Sequence, residues 1–293
     1  MSIKFEQQLE LYHYGESLCS QKIRVGLIEK ALPFKSHYIM LCDIHQNCQN
    51  LTPEYLRVNP KGQVPTLVHN GTPVYDAHRQ IKYIDEYFPD SGISLWPSDA
   101  ERARLAGEWF EEGMLTQDAP LGLTFGNAIP VVSGELLAHT LQKQPLEAVE
   151  QNMSHHPIET RAKMFVRLRR HGSNISSEKM DVLLTTLARG LRSINQQLAD
   201  TDGRWLLGDF SLPDITLMAC FHRLKDVHLD DALRHPVVPN LAPYWERLQE
   251  RPSYKTGITD WHDQDNLRPA IAEVYGGKPS RYLDQLNQKL AFD

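Results

Sequence analysis

Residues 9–14, Leu9-Glu10-Leu11-Tyr12-His13-Tyr14, alternate in period two, as a half-buried strand does. A helical period follows, with Ile23, Leu27 and Ala31 on one face of residues 20–31. His37 to Leu41 reads as a second strand, and Pro53 to Val58 as a short helical turn. Pro65 to Val68 and Thr72 to Tyr75 form a hairpin about His69-Asn70-Gly71, because Asn-Gly accepts the positive φ that a tight turn needs. Ala77, Ile81, Ile84 and Phe88 mark an amphipathic helix that Pro89 stops. The order β-α-β-α-β-β-α predicts a small mixed sheet with helices packed on it.

Asp90 to Pro97 is rich in Asp, Gly, Ser and Pro and reads as a linker. Beyond it the pattern is helical. Residues 99–116 begin a long helix, and Leu184, Leu187, Leu191, Ile194 and Leu198 form a seam at spacings of three and four. Ser211-Leu212-Pro213-Asp214 is a capping box, with Phe210 and Ile215 placed as its hydrophobic staple. Residues 126–160 are irregular: an extended loop or broken helices. The tail after Gly276 is polar and is expected to be poorly ordered. The predicted division is a first domain over 1–90, a linker over 91–98, an all-helical domain over 99–275 and a tail over 276–293.

Composition narrows the function classes. A net charge of −6 argues against non-specific nucleic-acid binding. No apolar run is long enough to span a bilayer, so no membrane partner is expected. The first eight residues, Met1 to Gln8, lack an apolar segment of the secretory kind, which points to the cytoplasm. Cys19, Cys42, Cys48 and Cys220 are few and irregularly spaced, and read as reduced thiols. Cys42 and Cys48 can pair, or bind a metal with His45, but exposed loop thiols are the favoured reading. His155-His156 lacks the partner spacing of a metal site, so none is expected.

The candidate chemistry begins at Ser17-Leu18-Cys19-Ser20, between the first strand and its helix. A hydroxyl and a thiol stand there at a helix amino end, where unpaired N–H groups and the positive dipole end favour a bound thiolate. A free thiol titrates near pH 8.5 and is mostly protonated at neutral pH. Each unit of lowering is about 1.4 kcal/mol of preference for the anion. Ser17 is the best-placed donor, with an ordinary N-cap as the alternative. Cys19 is either reactive or a small apolar residue packed under the helix. Gly62-Gln63-Val64-Pro65-Thr66-Leu67 reads as a proline opening a strand.

Three runs in order carry a family likeness: Asn59-Pro60-Lys61-Gly62-Gln63-Val64-Pro65-Thr66-Leu67, then Asp76-Ala77, then Trp205 to Ile215 around the capping box. Together they resemble the glutathione transferase superfamily over nearly the whole chain. Ser17-x-Cys19-Ser20-x-Lys22-x-Arg24 is similar to both the zeta class and the tetrachlorohydroquinone reductive dehalogenases. Residues Asn59 to Leu67 and Ile81 to Pro89 also look like the bacterial β-aryl etherases.

The resemblance implies an α/β thioredoxin-like N-terminal domain, an all-α helical-bundle C-terminal domain and a homodimer. Glutathione is the implied co-substrate. In the zeta-type pattern Ser17 activates its thiol; in the dehalogenase pattern Cys19 attacks a glutathionyl intermediate. Pro65 is implied to be cis, turning the Val64 backbone toward the cysteinyl part of the tripeptide. Asp76 is implied to contact the γ-glutamyl amine. Ala77 lacks the usual hydroxyl, which removes one hydrogen bond to the carboxylate and weakens binding. His78 can replace that donor, but a solvated side chain is the favoured reading. Gln63 and Asn50 are implied contacts toward the glycyl end. Trp109 and Phe125 are candidates for the apolar half of the site, although helical aromatics are more often core. Arg161, Lys163, Arg167, Arg169, Arg170 and His171 read as a solvated helix face, or as a lid over an acidic or phenolate substrate.

The expected reaction is attack of glutathione on a small electrophile, aromatic by preference: conjugation, reductive dehalogenation, ether cleavage or isomerisation. The rival expectation is a non-catalytic binding protein on the same fold.

Overall fold

The computed structural model describes residues 3–113, 122–201 and 203–292. Strand β1 (Leu9–His13) leads into helix α1 (Leu18–Glu29), strand β2 (Lys35–Tyr38), helix α2 (Pro53–Val58), the hairpin β3 (Thr66–His69) and β4 (Thr72–Val74), and helix α3 (Ala77–Tyr87). The sheet order is β2-β1-β3-β4, with β1 and β2 parallel and the other pairs antiparallel. Leu9 and Leu11 face Ile23, Leu27, Ile81 and Ile84 of α1 and α3. On the opposite face, Tyr12 and Val68 pack with Tyr55 and Val58 of α2. The expected element order therefore stands, with shifted bounds. β2 begins earlier than expected because its register with β1 runs from Glu10↔Lys35 to His13↔Tyr38. Helix α1 begins earlier because Ser17 caps it, accepting the Ser20 N–H at 3.3 Å.

The remainder is helical: α4 (Ala100–Glu112), α5 (Phe125–Val132), α6 (Gly134–Gln142), α7 (Leu146–Ser154), α8 (Glu159–His171), α9 (Ser177–Asp200), α10 (Leu212–Asp226), α11 (Leu241–Glu250), α12 (Pro252–Gly257), α13 (Leu267–Tyr275) and α14 (Leu283–Phe292). Residues 114–116 of the helix expected over 99–116, and Met1 and Ser2, lie outside the described residues. The irregular stretch 126–160 is a set of short helices, α5 to α7. The seam leucines of α9 are all buried. Asp214, fully buried in α10, accepts the Ser211 N–H at 2.9 Å, as the box requires. It also accepts from the Leu206 N–H (3.0 Å) and the Tyr244 hydroxyl (2.7 Å).

Two expectations are corrected. The tail is not poorly ordered: Leu283, Leu286 and Leu290 bury one face of α14 against α9, and Arg192 Nη1 donates to the Lys289 carbonyl at 2.6 Å. Cys42 and Cys48 are not exposed loop thiols but a disulfide, with Cα atoms 4.7 Å apart. Their loop folds back on itself through Gln49 N–H to the Met40 carbonyl (2.8 Å), and Cys42 packs with Leu51, Leu141 and Val149. His45 Nε2 lies 3.3 Å from Asp263 Oδ2.

Candidate functional site

The register Tyr12↔Thr66 sets the start of β3 beside the end of β1. The Val64-Pro65 bond is cis. The chain before it is held from beneath. The Gln63 carbonyl accepts from the Tyr55 hydroxyl (2.5 Å) and from Asn59 Nδ2 (2.9 Å). Gln80 on α3 donates to the Pro65 carbonyl (2.8 Å) and the Val74 carbonyl (3.0 Å). Val64 thus has its backbone position fixed while its side chain stays partly exposed. Tyr55 and Gln80 are positioning residues that sequence reasoning missed; burial of a glutamine on the apolar face of α3 was the available signal.

Helix α1 follows β1, which pairs with β3, and α3 follows β4, on the other side of β3. Ser17 and Cys19 are both half-buried at the start of α1. The Ser17 oxygen accepts from Ser20, which leaves its O–H free to donate to a ligand. Cys19 is a free thiol packed against the core. Burial pushes its pKa up and Asp76 adds to that; Lys22, Arg161 and Arg223 oppose it. Asp76 itself is exposed, caps α3 with φ +70° and accepts the His78 N–H at 3.0 Å. Ala77 is buried in the first turn.

Several expected contacts have other duties. Asn50 is buried, with Oδ1 accepting the Cys42 N–H and Nδ2 donating to the Gly62 carbonyl, both at 2.9 Å. Its amide ties two loops together. His78 is not solvated: it packs edge-on against Phe110 at 4.7 Å, and burial lowers its pKa to about 2. Phe125 is core, edge-on to Phe221. Trp109 is half-buried and donates Nε1 to Gln197. Lys22 and Arg24 are buried fasteners rather than site groups. Lys22 donates to the Gly113 carbonyl at 3.0 Å. Arg24 donates to the carbonyls of Gly257, Tyr14 and Gly15 and meets His13 Nδ1 at 3.0 Å. His13 must therefore accept at Nδ1 and present its N–H to Ser36 at 2.8 Å. Burial, with Arg24, lowers its pKa to about 3.

The β1–α1 loop is also gripped by the far end of the chain, which the sequence did not suggest. The Tyr14 hydroxyl donates to Asp263 Oδ2 at 2.7 Å. Arg268 donates to both Glu16 oxygens (2.9 and 2.8 Å) and to Asp226 Oδ1 (2.8 Å). Among the described residues, Glu16, His222 and His262 offer atoms spaced for a metal. Arg268 already holds both Glu16 oxygens, and His222 meets His262 and the Tyr254 hydroxyl, so the group is a hydrogen-bonded network. Among the described residues, the hydrogen bonds of His155 and His156 stay within 151–158.

No described helix is long and apolar enough to cross a membrane. Against known proteins, the chain is 26% identical to Protein LigF of Sphingobium sp. strain SYK-6, over 97% of this chain and 99% of that one. It is 25% identical to the tetrachloro-p-hydroquinone reductive dehalogenase of Sphingobium chlorophenolicum, over 85% of this chain and 95% of the other. The crystal structure of the β-etherase LigF superposes with a TM-score of 0.69 at 22% identity, covering 86% and 98% of the two chains. A glutathione-bound theta class transferase from Xanthomonas axonopodis pv. citri gives 0.56 at 17% identity, covering 86% and 98%. Residues 16–87 match the glutathione S-transferase N-terminal domain and 160–257 its C-terminal domain, together more than half of the chain. With its mixed sheet, cis-proline strand and helical second part, the chain belongs to the glutathione S-transferase family.

Proposed function

We propose that the protein is a glutathione-dependent transferase whose Ser17 activates the thiol of bound glutathione for attack on a small, aromatic electrophile. Residues 1–90 bind the tripeptide, and 99–275 bind the electrophile. What supports the reading is the start of β3 beside the end of β1, which leads into α1, with the Gln63–Pro65 backbone held by Tyr55, Asn59 and Gln80. A thiolate beside α1 meets a free O–H donor and the positive end of a helix. Val64, whose N–H and C=O make no hydrogen bond among the described residues, offers them to the peptide, and Asp76 offers a carboxylate to its amine. Conjugation, reductive dehalogenation and ether cleavage all share this first step, and relatives named for the last two match nearly the whole chain. In the reductive case the Cys19 thiolate attacks the glutathionyl sulfur of a conjugate, forming a Cys19–glutathione disulfide as the S–aryl bond breaks and the arene takes a proton. A second glutathione then frees Cys19 and leaves as glutathione disulfide. A cytosolic homodimer is the assembly the family supports.

The test is turnover of chlorodinitrobenzene with glutathione by wild type, Ser17→Ala and Cys19→Ala. Loss of an oxyanion-type donor costs about 100-fold in kcat, and Ser17→Ala is expected to show it, whereas Cys19→Ala keeps conjugation. If neither change alters turnover more than a few-fold, the assignment is wrong.

One observation favours a second, non-catalytic reading. Ala77 supplies no hydroxyl and the Asn50 amide is engaged elsewhere, so two expected glutathione contacts are weakened. Calorimetry separates the readings: no heat at millimolar glutathione selects the binding-protein fold without the activity.

A further inference from the structure

The loop between β2 and α2 touches both stretches that form the site. Toward one, Asn50 Oδ1 accepts the Cys42 N–H and Nδ2 donates to the carbonyl of Gly62, the residue before Gln63. Toward the other, His45 packs edge-on against the Tyr14 ring at 5.6 Å and lies 3.3 Å from Asp263, which accepts the Tyr14 hydroxyl. Tyr14 in turn receives the Ser17 N–H on its carbonyl (3.3 Å) and gives its own N–H to Ser20 Oγ (3.4 Å).

The helical part holds the same loop by its carbonyls. Thr140 Oγ1 donates to Asp43 (3.1 Å), Gln144 Nε2 to Cys42 (3.4 Å) and Asn152 Nδ2 to Gln46 (3.1 Å). Gln144 is itself steadied from α8 by Arg169, whose Nε donates to its carbonyl at 2.7 Å. Lys163 and Arg170 of that helix pair with Glu159 and Glu150 at the surface. Residues 42–48 contain no helix or strand, so their shape rests on these side chains and on the Cys42–Cys48 bridge. A crosslink between residues 6 apart removes most of the conformations that an open loop can take. The two sulfurs differ in access. Cys42 is buried at 1% exposure among Leu51, Leu141 and Val149, whereas Cys48 is half-buried between the exposed Asn47 and Gln49. A small thiol in solution therefore meets Cys48 first.

We propose that the Cys42–Cys48 bridge is a redox clip: closed, it holds the β2–α2 loop against both halves of the site, and opened by a small thiol, it releases them. Glutathione, the co-substrate of the reading above, is the thiol that opens it. Its thiolate attacks the Cys48 sulfur, the bridge breaks, and Cys42 leaves and takes a proton. A second glutathione attacks the Cys48–glutathione disulfide, frees Cys48 and leaves as glutathione disulfide, so two glutathiones supply the two electrons. Glutathione disulfide runs the same steps backwards. The protein is therefore most active where disulfide outweighs thiol. The effect on turnover rests on the glutathione reading; the effect on the loops does not.

The experiment compares the full chain closed by air oxidation with the chain opened by a phosphine, each freed of reagent. A thiol count on the unfolded chain is expected to find only Cys19 and Cys220 in the closed form, and Cys42 and Cys48 as well in the open one. Hydrogen–deuterium exchange then reads residues 14–20 and 59–65, and opening is expected to speed exchange in both. Calorimetry with glutathione and initial rates with chlorodinitrobenzene read the site; disulfide rearrangement takes minutes to hours, so initial rates report the form supplied. Opening is expected to lower kcat about tenfold, since a misplaced catalytic group can cost about 100-fold. Cys48→Ser, a small change at a half-buried position, behaves as the open form with or without phosphine. Glutathione alone brings the closed count to the open one; a closed count that survives it overturns the choice of thiol. Four free thiols after air oxidation overturn the clip, as does equal exchange in the two forms. Faster exchange with unchanged turnover overturns its hold on the site. A phosphine effect that persists in Cys48→Ser also overturns it, because another sulfur then responds. Faster exchange on opening, with no heat from glutathione in either form, overturns the glutathione reading and leaves the clip standing.

Discussion

Two stretches that form the site are supported in opposite ways. The Gln63–Pro65 backbone is held by near neighbours in sequence: Tyr55, Asn59 and Gln80 lie 8, 4 and 15 residues from the atoms they hold. The β1–α1 loop is held from far away. Tyr14 bonds a residue 249 positions on, Glu16 one 252 on, and Arg24 one 233 on. On the proposed reading, the difference teaches that recognition of the peptide backbone rests on contacts within the first part of the chain, whereas thiol activation rests on contacts to the last. Substitutions near Pro65 should loosen binding. Substitutions near Arg268 should undermine the loop that carries Ser17.

The strongest way to break this contrast is Arg268→Ala. It leaves the Glu16 carboxylate buried without its cation and Asp226 with Arg223 alone, and removing one partner of a buried pair costs about 3–5 kcal/mol. Urea unfolding is expected to show that loss; unchanged stability would mean the long-range grip is ornamental. A smaller effect is expected from Gln80→Ala. The Pro65 and Val74 carbonyls lose a donor, and an unsatisfied buried group costs about 1–3 kcal/mol. Glutathione affinity measured by calorimetry should fall, with kcat for bound substrate little changed. An equal fall in kcat would erase the division of labour.

The smallest effect is a pH dependence shared by both stretches. His13, His78 and His222 have pKa values lowered to about 3, 2 and 3, chiefly by burial. The unfolded chain therefore binds more protons below the ordinary value near 6.5, and stability falls as pH falls from there toward about 3. Between pH 7 and pH 6 the loss is about 0.7 kcal/mol for each ring. Thermal melts at the two values check it, and a flat or rising profile would show that these rings are solvated after all.

What the sequence made legible was local. Periodicity located β1, α1, the hairpin, α3 and the α9 seam, since each buries one face set by its own residues. The Asp214 box was legible because cap and acid are three residues apart. The cis proline came from family likeness rather than from pattern. Partners distant in sequence were invisible. Nothing near Asp263 or Arg268 announces Tyr14 or Glu16. His78 looked solvated because Phe110, which covers it, belongs to another helix. The loop-tying role of Asn50 was invisible because its partners, Cys42 and Gly62, offer backbone groups. The tail looked loose because Leu283, Leu286 and Leu290 are diluted by polar neighbours, and only α9 gives them a surface.

That last helix has a practical consequence. The carboxyl end is not a spare handle to trim. Cutting after Gly276 would strip three leucines from the flank of α9, and each buried leucine is worth about 1.5–3 kcal/mol. It would also take away the main-chain oxygen that Arg192 grips, so the longest described helix would lose its outer wall along with its anchor.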